Sequence, residues 1–322
     1  MMTASKPADL ARLAAQLAPK QGYNYQALAG VRVLRSESVL HNVPVLYQPG
    51  VVFVCQGSKR GVLDGDVFVY DEAHYLAVSV PVPFRMESDA SPKQPLLAIY
   101  LDFDMRLVAE LIDMLEGYGK VPTPIPAAES LISTPIDTNI HDVLHRLLTI
   151  LQSPVEIAVL GDGLLRELYF RILTGPQGPK MMTALALRGT AGNILRSLGY
   201  LRAHFTQPLS IADLAQQAGM SVPSYHAHFR KLLGSSPIQY IKSMRLHEAR
   251  LLLARHGQTI AEAANRVGYV SASQFSREFK RHFGKTASEE VAWMKQHLGE
   301  LPPEHSRMTL ADRDSRLRGN DV

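Results

Sequence analysis

IADLAQQAGMSVPSYHAHFRKLLG, residues 211–234, returns in altered form as IAEAANRVGYVSASQFSREFKRHFG, residues 260–284. Ile211, Ala212, Ala215 and Gly219 recur 49 positions later as Ile260, Ala261, Ala264 and Gly268. One residue is then inserted in the second copy, and Ser221, Tyr225 and Phe229 recur 50 positions later as Ser271, Phe275 and Phe279. Each copy reads as a helix, a turn opened by Gly and a second helix, the pattern of a helix-turn-helix unit. Small Ala215 and Ala264 let the two helices cross closely, and Gly219 and Gly268 can end the first helix in the left-handed region. Ser221 and Ser271 are placed to cap the second helix, whose amide end then faces a phosphate. Tyr225/Phe229 and Phe275/Phe279 are i, i+4 pairs that anchor this helix to a core. Its opposite face is left for the major groove.

This geometry predicts which side chains meet DNA. The exposed candidates are Pro223, His226, Ala227 and Arg230 in the first unit, and Ala272, Ser273, Ser276, Arg277, Lys280 and Arg281 in the second. His226, Ser273, Ser276 and Arg277, on the leading turns, are expected at base edges. A bidentate contact from Arg277 to guanine is worth about 1–3 kcal/mol of discrimination. Ser221, Arg230, Lys231, Ser271, Lys280 and Arg281 are expected at phosphates, where they set affinity and salt dependence. Between the units, Pro237 to Ala254 reads as one long helix, which would hold the two recognition helices about one duplex turn, ~34 Å, apart. Arg245 and Arg250 on that helix serve equally well as internal salt-bridge partners.

Charge divides the chain in the same way. Residues 1–180 carry 15 Lys/Arg against 19 Asp/Glu, whereas residues 195–285 carry 13 against 4. An acidic part joined to a strongly basic one suits a regulatory or assembly domain linked to a domain that faces a polyanion. No window of the 322 residues approaches a membrane-spanning apolar run, and the N-terminus lacks the apolar core of a signal peptide. A single cysteine, Cys55, excludes an internal disulfide framework and a cysteine-based zinc cluster. A cytoplasmic location without membrane contact is expected.

Ahead of the repeat, residues 7–19 have helical spacing, and from Val31 the pattern changes. PVLYQP, VVFVCQG, VFVYD and HYLAVSV are short stretches rich in Val, Phe and Tyr, broken every eight to twelve residues by turn formers. Such spacing belongs to a β-sandwich or a barrel. Leu63-Asp64-Gly65-Asp66 reads as a hairpin turn, and Leu96 to Phe103 as one more strand. Leu107, Leu111 and Leu115 then mark a helix, followed by a proline-rich linker at Val121 to Ala127. Leu144, Leu147, Leu148 and Leu151 mark another helix, and Leu164, Leu165, Leu168, Phe170 and Leu173 a third. Their apolar faces must cover either the β structure or a second copy of the chain. The expected domains are 1–180, a linker at 181–193, a DNA-binding domain at 194–298 and a disordered tail at 299–322.

The stretch from Leu201 to Gly284 resembles the DNA-binding domain of the AraC/XylS family of bacterial transcription regulators. The likeness is carried by RLHEAR (245–250), by the spacing of the two units and by VGYVSASQFSREFKRHFG (267–284). Two departures stand out. After Gly284 the chain reads KTASEEVAWMK where the family has a proline-containing turn leading to Tyr-Arg, so the closing segment is expected to pack differently. Ala227 stands where the subgroup tends to have Arg, which shifts base reading towards the second unit. VLYQPGVVFVCQGSKRG (45–61), HYLAVSVPVPF (74–84), ASPKQPLLAI (90–99) and LYFRILTGPQG (168–178) are similar to the N-terminal domain of one subgroup. That resemblance implies a two-domain α+β protein. Its N-terminal cupin-like β-barrel with flanking helices would sense an effector and dimerise. Its C-terminal all-α domain would carry the two helix-turn-helix units joined by a long helix.

The expected function is therefore transcriptional regulation, not catalysis. The expected partners are double-stranded DNA, a small-molecule effector, a second copy of the chain and RNA polymerase. No cofactor and no metal are expected: His41 and His74 form no His-x-His pair, and Glu37 and Glu72 have no coordinating spacing. Tyr47, Gln56, Tyr70, Tyr75 and Arg85 are the candidates for lining an effector pocket, the alternative being a filled barrel. Cys55 is either an inert buried thiol or a reactive one activated by Lys59 or Arg60. Two rival readings remain open. One is an effector-independent DNA-binding protein whose barrel only dimerises; the other is a cupin-type enzyme with an accessory DNA-binding domain.

Overall fold

The computed structural model describes residues 7–120, 129–185, 189–256 and 258–299. The proline-rich stretch Val121–Ala127 and the charged tail lie outside the described residues. The chain divides at Gly189 into a first unit, which the segment from Ala292 joins, and a second unit running to Val291.

The first unit opens with α1 (Pro7–Leu17). Strands β1 (Gly22–Tyr25), β2 (Val31–Ser36), β3 (Leu40–Tyr47), β4 (Gly50–Gln56) and β5 (Ser58–Leu63) follow. Next come β6 (Asp66–Asp71), β7 (His74–Val78), β8 (Val82–Asp89) and β9 (Leu96–Asp102). The unit continues with α2 (Met105–Gly117), β10 (Leu131–Pro135), α3 (Thr138–Ile150), α4 (Pro154–Thr174) and α5 (Gly178–Leu185). The β5–β6 hairpin turns at the expected place. Asp64 and Gly65 both have positive φ, 49° and 94°, as a two-residue type I′ loop requires.

The expected cupin-like barrel is not formed. The strands make two open antiparallel sheets, one in the order β1-β2-β9-β4-β7-β10 and the other β3-β8-β5-β6. The free edges β6 and β10 approach each other, but a side chain joins them, the Ser133 hydroxyl donating to the Val69 carbonyl. No backbone ladder closes either sheet. The reason lies in burial. Every residue from Gly50 to Cys55 in β4 and from Leu96 to Leu101 in β9 is buried, so the larger sheet is covered on both faces. Strand β8 instead alternates between buried and half-buried, as a strand does when one face of its sheet meets water. The result is three layers: helices, six-stranded sheet, four-stranded sheet.

The helical layer answers the question of what the leucine faces cover. Leu13 of α1, Leu111 of α2, Leu147 of α3 and Leu168 of α4 share one core with Val51, Phe53, Ile99 and Leu101 of the large sheet. Asp104, Asp137 and Ser153 cap α2, α3 and α4 by accepting from backbone amides of the first turn. Another face of α4, with Val155, Val159 and Leu160, stays exposed.

The second unit is all helix: α6 (Gly189–His204), α7 (Ile211–Gln217), α8 (Val222–Leu233), α9 (Pro237–His256), α10 (Ile260–Arg266) and α11 (Ala272–Phe283), with α12 (Ala287–His297) closing the chain's described part. Helix α9 packs against α8 and also against α10 and α11, bridging the two repeats. The closing segment that departs from the family pattern forms α12. Its Glu290 is buried against Arg250 of α9 at 2.7 Å, which assigns that arginine to the internal framework.

Candidate nucleic-acid interface and effector site

The repeat seen in the sequence is repeated in side-chain geometry. The Tyr225 and Phe229 rings lie 5.4 Å apart at 52°, and those of Phe275 and Phe279 lie 5.4 Å apart at 51°. All four are fully buried, so each second helix is fixed by the same pair of anchors. Ser221 accepts from the Ser224 amide and Ser271 from the Gln274 amide. Both hydroxyls thus serve as caps, leaving the free amides of the first turn directed outward. Met220 N–H to Ala215 O and Tyr269 N–H to Ala264 O, each 2.9 Å, are equivalent turn bonds. The inserted residue is therefore Val270, and it is fully exposed.

Helix α11 presents Ala272, Ser273, Gln274, Ser276, Arg277, Lys280 and Arg281 to solvent. Ser276 spends its hydroxyl proton on the Ala272 carbonyl, and Gln274 is tied to Glu278. Glu278 also accepts from Tyr269 and from Lys242 of α9, and these donors hold its carboxyl below the usual range. The acid on this helix is thereby turned away from the basic face. Helix α8 presents Val222, Pro223, Ala227, His228, Arg230 and Lys231, while His226 is half-buried. His228, Val222 and Val270 were missed by the sequence reading. The position of His228, one residue before the anchor Phe229, was the available signal.

Arg245 belongs to the framework too. Its guanidinium donates to the carbonyls of Phe205, Gln207 and Gly268 at 2.7, 2.8 and 3.3 Å. It ties the segment after α6 to the turn that precedes α11.

In the first unit, the pocket candidates separate. Tyr47 and Tyr70 come together between the two sheets. They meet around Lys59, a residue the sequence reading weighed only as a neighbour of Cys55. The Lys59 ammonium donates to the hydroxyls of Tyr100 at 2.6 Å and Tyr47 at 3.2 Å. It also lies over the rings of Tyr47, Tyr70 and Tyr100 at 5.9, 5.7 and 5.2 Å. Burial lowers its pKa to about 7 and pushes all three tyrosines well above their ordinary range. A lysine at an inward position of an alternating strand was the missed signal.

Gln56, Tyr75 and Arg85 do not join this group. Gln56 donates to the Pro95 carbonyl and Arg85 to that of Asn42. Tyr75 lies on the helix-covered face, its ring 5.2 Å from Phe53. Cys55 is on that face as well, where burial, with a smaller effect of Glu72, pushes its thiol up to about 12. That environment keeps it protonated, and Lys59 and Arg60 are engaged elsewhere. No cluster of three or more His, Cys, Asp or Glu suited to a metal occurs among the described residues. No helix among them is long and apolar enough to cross a membrane.

Comparison with known proteins covers both units. The family described as the AraC-type transcriptional regulator N-terminus matches residues 27–180, and a helix-turn-helix domain family matches residues 214–291. A probable thc operon regulatory protein of Rhodococcus erythropolis is 34% identical over 103 residues, which is 31% of each chain. The match thus spans about a third of that relative. The lactose operon transcription activator of Staphylococcus xylosus is 21% identical over 273 residues, 84% of this chain and 87% of the other. Among solved structures, unsaturated fatty acid-bound ToxT from Vibrio cholerae superposes with a TM-score of 0.58 at 13% identity. It covers 88% of this chain and 100% of the other, which establishes the fold alone.

Proposed function

We propose that the chain is a transcriptional regulator of the AraC type, whose second unit reads a specific double-stranded DNA sequence under the control of a small molecule held by the first. The observation that carries this reading is the pair of recognition helices, each capped by Ser and anchored by two buried aromatics, with a polar or basic outer face. Base reading falls mainly to α11, through Arg277 with Ser273 and Ser276, because α8 offers Pro223 and Ala227 at its outer positions. His226, half-buried, contributes from its edge. Ser221 and Ser271 meet phosphates through the helix ends they cap, and Arg230, Lys231, Lys280 and Arg281 through their side chains.

The experiment that tests the reading is footprinting on DNA upstream of the chain's own coding region, with and without a panel of metabolites. A protected site whose occupancy changes with one metabolite is expected; occupancy indifferent to the whole panel would remove the effector. Two substitutions test the division of labour. Arg277→Ala should weaken specific binding by about 1–3 kcal/mol while sparing random DNA. Equal losses on both would move Arg277 to the phosphate class. Lys280→Ala should lower the slope of log affinity against log salt by about one, and an unchanged slope would dismiss that contact.

A second copy of the chain fits the exposed face of α4. Val159 and Leu160 border a groove of about 500 Å³ against α3, with Arg146 and Glu167 paired at 2.7 Å beside it. An apolar strip flanked by both charges is self-complementary, as an isologous interface requires. Val159→Asp should convert a dimer into a monomer in sedimentation with the fold intact. A dimer that survives would place the interface elsewhere. At a promoter, the protein assembled in this way would act on RNA polymerase.

A further inference from the structure

The second helix-turn-helix unit has one residue, Val270, that the first lacks, and its neighbours on both sides are committed to the fold. Tyr269 is buried, its ring 5.3 Å from Phe275 and its hydroxyl donating to Glu278 at 2.9 Å. Ser271 caps α11 by accepting from the Gln274 amide, and Arg245 holds the Gly268 carbonyl. Between these fixed points the Val270 side chain projects into solvent. At 105% it is more exposed than any other large apolar residue among the described residues, the next being Tyr118 at 81%. Gly, Asn, Asp and Ser are the ordinary choices in an exposed turn, because they tolerate positive φ or bond the local backbone. Valine does neither, and its isopropyl group gains nothing from the fold.

That group stands one position ahead of the α11 cap, at the end of a recognition helix that approaches base edges. The leading turns of α11 hold little that could meet an apolar group there. Ser273 and Arg277 offer donors, Ser276 has spent its hydroxyl proton on the Ala272 carbonyl, and Ala272 offers a single methyl. Thymine is marked in the major groove by its O4 acceptor and its C5 methyl, and only an apolar contact detects the methyl. We propose that Val270 is a specificity-determining residue that packs on the C5 methyl of a thymine beside the bases read by α11. The inference rests on the reading of α11 as the main base-reading helix. Valine suits the task because two methyls on Cβ leave few χ1 rotamers. The turn bonds fix the backbone beneath it, so little freedom is lost on contact. The first unit passes from Met220 directly to its cap Ser221 and has no residue at this point.

The test uses the full chain and duplexes selected by binding from a random-sequence pool. The unsubstituted chain should enrich a motif with thymine at one position that Val270→Ser leaves unspecified, the rest of the motif being unchanged. Val270 makes no buried contact, so Val270→Ser retains the fold. Replacing that thymine by deoxyuridine removes the methyl and keeps every hydrogen-bonding group. The replacement should weaken the unsubstituted chain about fourfold, the worth of one buried methyl group, and leave Val270→Ser unaffected. The same motif for both chains, or a deoxyuridine penalty of equal size in both, would overturn the inference. Full affinity of Val270→Ser for the unsubstituted chain's motif would overturn it too, and would assign the exposed side chain to a protein partner. The reading of α11 falls separately, on a selection that enriches no motif or one that Arg277→Ala leaves unchanged.

Discussion

Gly268→Ala is expected to destabilise the second unit by about 3 kcal/mol or more and to abolish specific DNA binding. Gly219→Ala, at the matching position of the first repeat, should cost only about 1–2 kcal/mol. Both glycines have positive φ, 62° at Gly219 and 85° at Gly268, so both substitutions meet the left-handed penalty. The difference is in what surrounds them. A Cβ on Gly219 would meet nothing within 4 Å, whereas one on Gly268 would lie 2.5 Å from the Thr206 carbonyl oxygen and 2.9 Å from its carbon. That carbonyl belongs to the segment Arg245 holds through Phe205 and Gln207, and the same guanidinium also binds the Gly268 carbonyl. The clash cannot be relieved without loosening this arginine, and the turn that aims α11 loosens with it. Denaturant unfolding of the full chain, followed with operator binding, would measure both effects. Equal losses for the two variants would mean that the contact with Thr206 yields easily and that the second turn has no special rigidity.

Lys59→Met is expected to raise stability by about 1–4 kcal/mol at pH 6. The unfolded chain holds the Lys59 proton with the ordinary pKa of 10.5, and the folded chain with one of about 7. Below pH 7 both states are protonated, and the full cost of the buried charge is present. Between pH 7 and 10.5 the unfolded state alone keeps the proton, so this cost is relieved as pH rises. At about 1.4 kcal/mol for each tenfold change in proton affinity, the lysine's stability cost at low pH is roughly 5 kcal/mol. Methionine removes the charge, keeps most of the stem volume and leaves the Tyr47–Tyr100 hydroxyl pair, 3.0 Å apart, bonded to each other. Cys55 and the facing groups Tyr47, Tyr70 and Tyr100, all held above their ordinary values, act alike in both chains, so the difference in slope between them from pH 7 to about 8.5 belongs to Lys59. Unfolding curves for both chains from pH 6 to pH 10 would test it. A less stable variant with an unchanged pH slope would make Lys59 a structural residue.

Much of the DNA-binding unit was legible in the sequence because its determinants are local. Caps, turns and i, i+4 anchors act over a few residues, and a second copy of the pattern supplies an internal control. The same logic failed between the sheets. Strand spacing suits a sandwich and a barrel equally, and only the unbroken apolar runs Gly50–Cys55 and Leu96–Leu101 signalled a sheet covered on both faces. Gln56, Tyr75 and Arg85 were grouped with Tyr47 and Tyr70 by residue type. Which face each occupies depends on register and on the layer beyond, and neither has a short-range signature.

The sequence by itself determined that this chain carries two helix-turn-helix units, where each recognition helix starts and which of its faces is basic. It did so because hydrophobic period, capping and charge are properties of contiguous residues. Tertiary structure alone decided that the sheets stay open, that Arg245 and Arg250 bind within the helical framework, and that Lys59 sits beside Tyr70 and Ser88. Those outcomes depend on pairings between residues up to 70 positions apart, as Val31 and Leu101 are, which burial and hydrogen-bond satisfaction select only once the whole core is assembled.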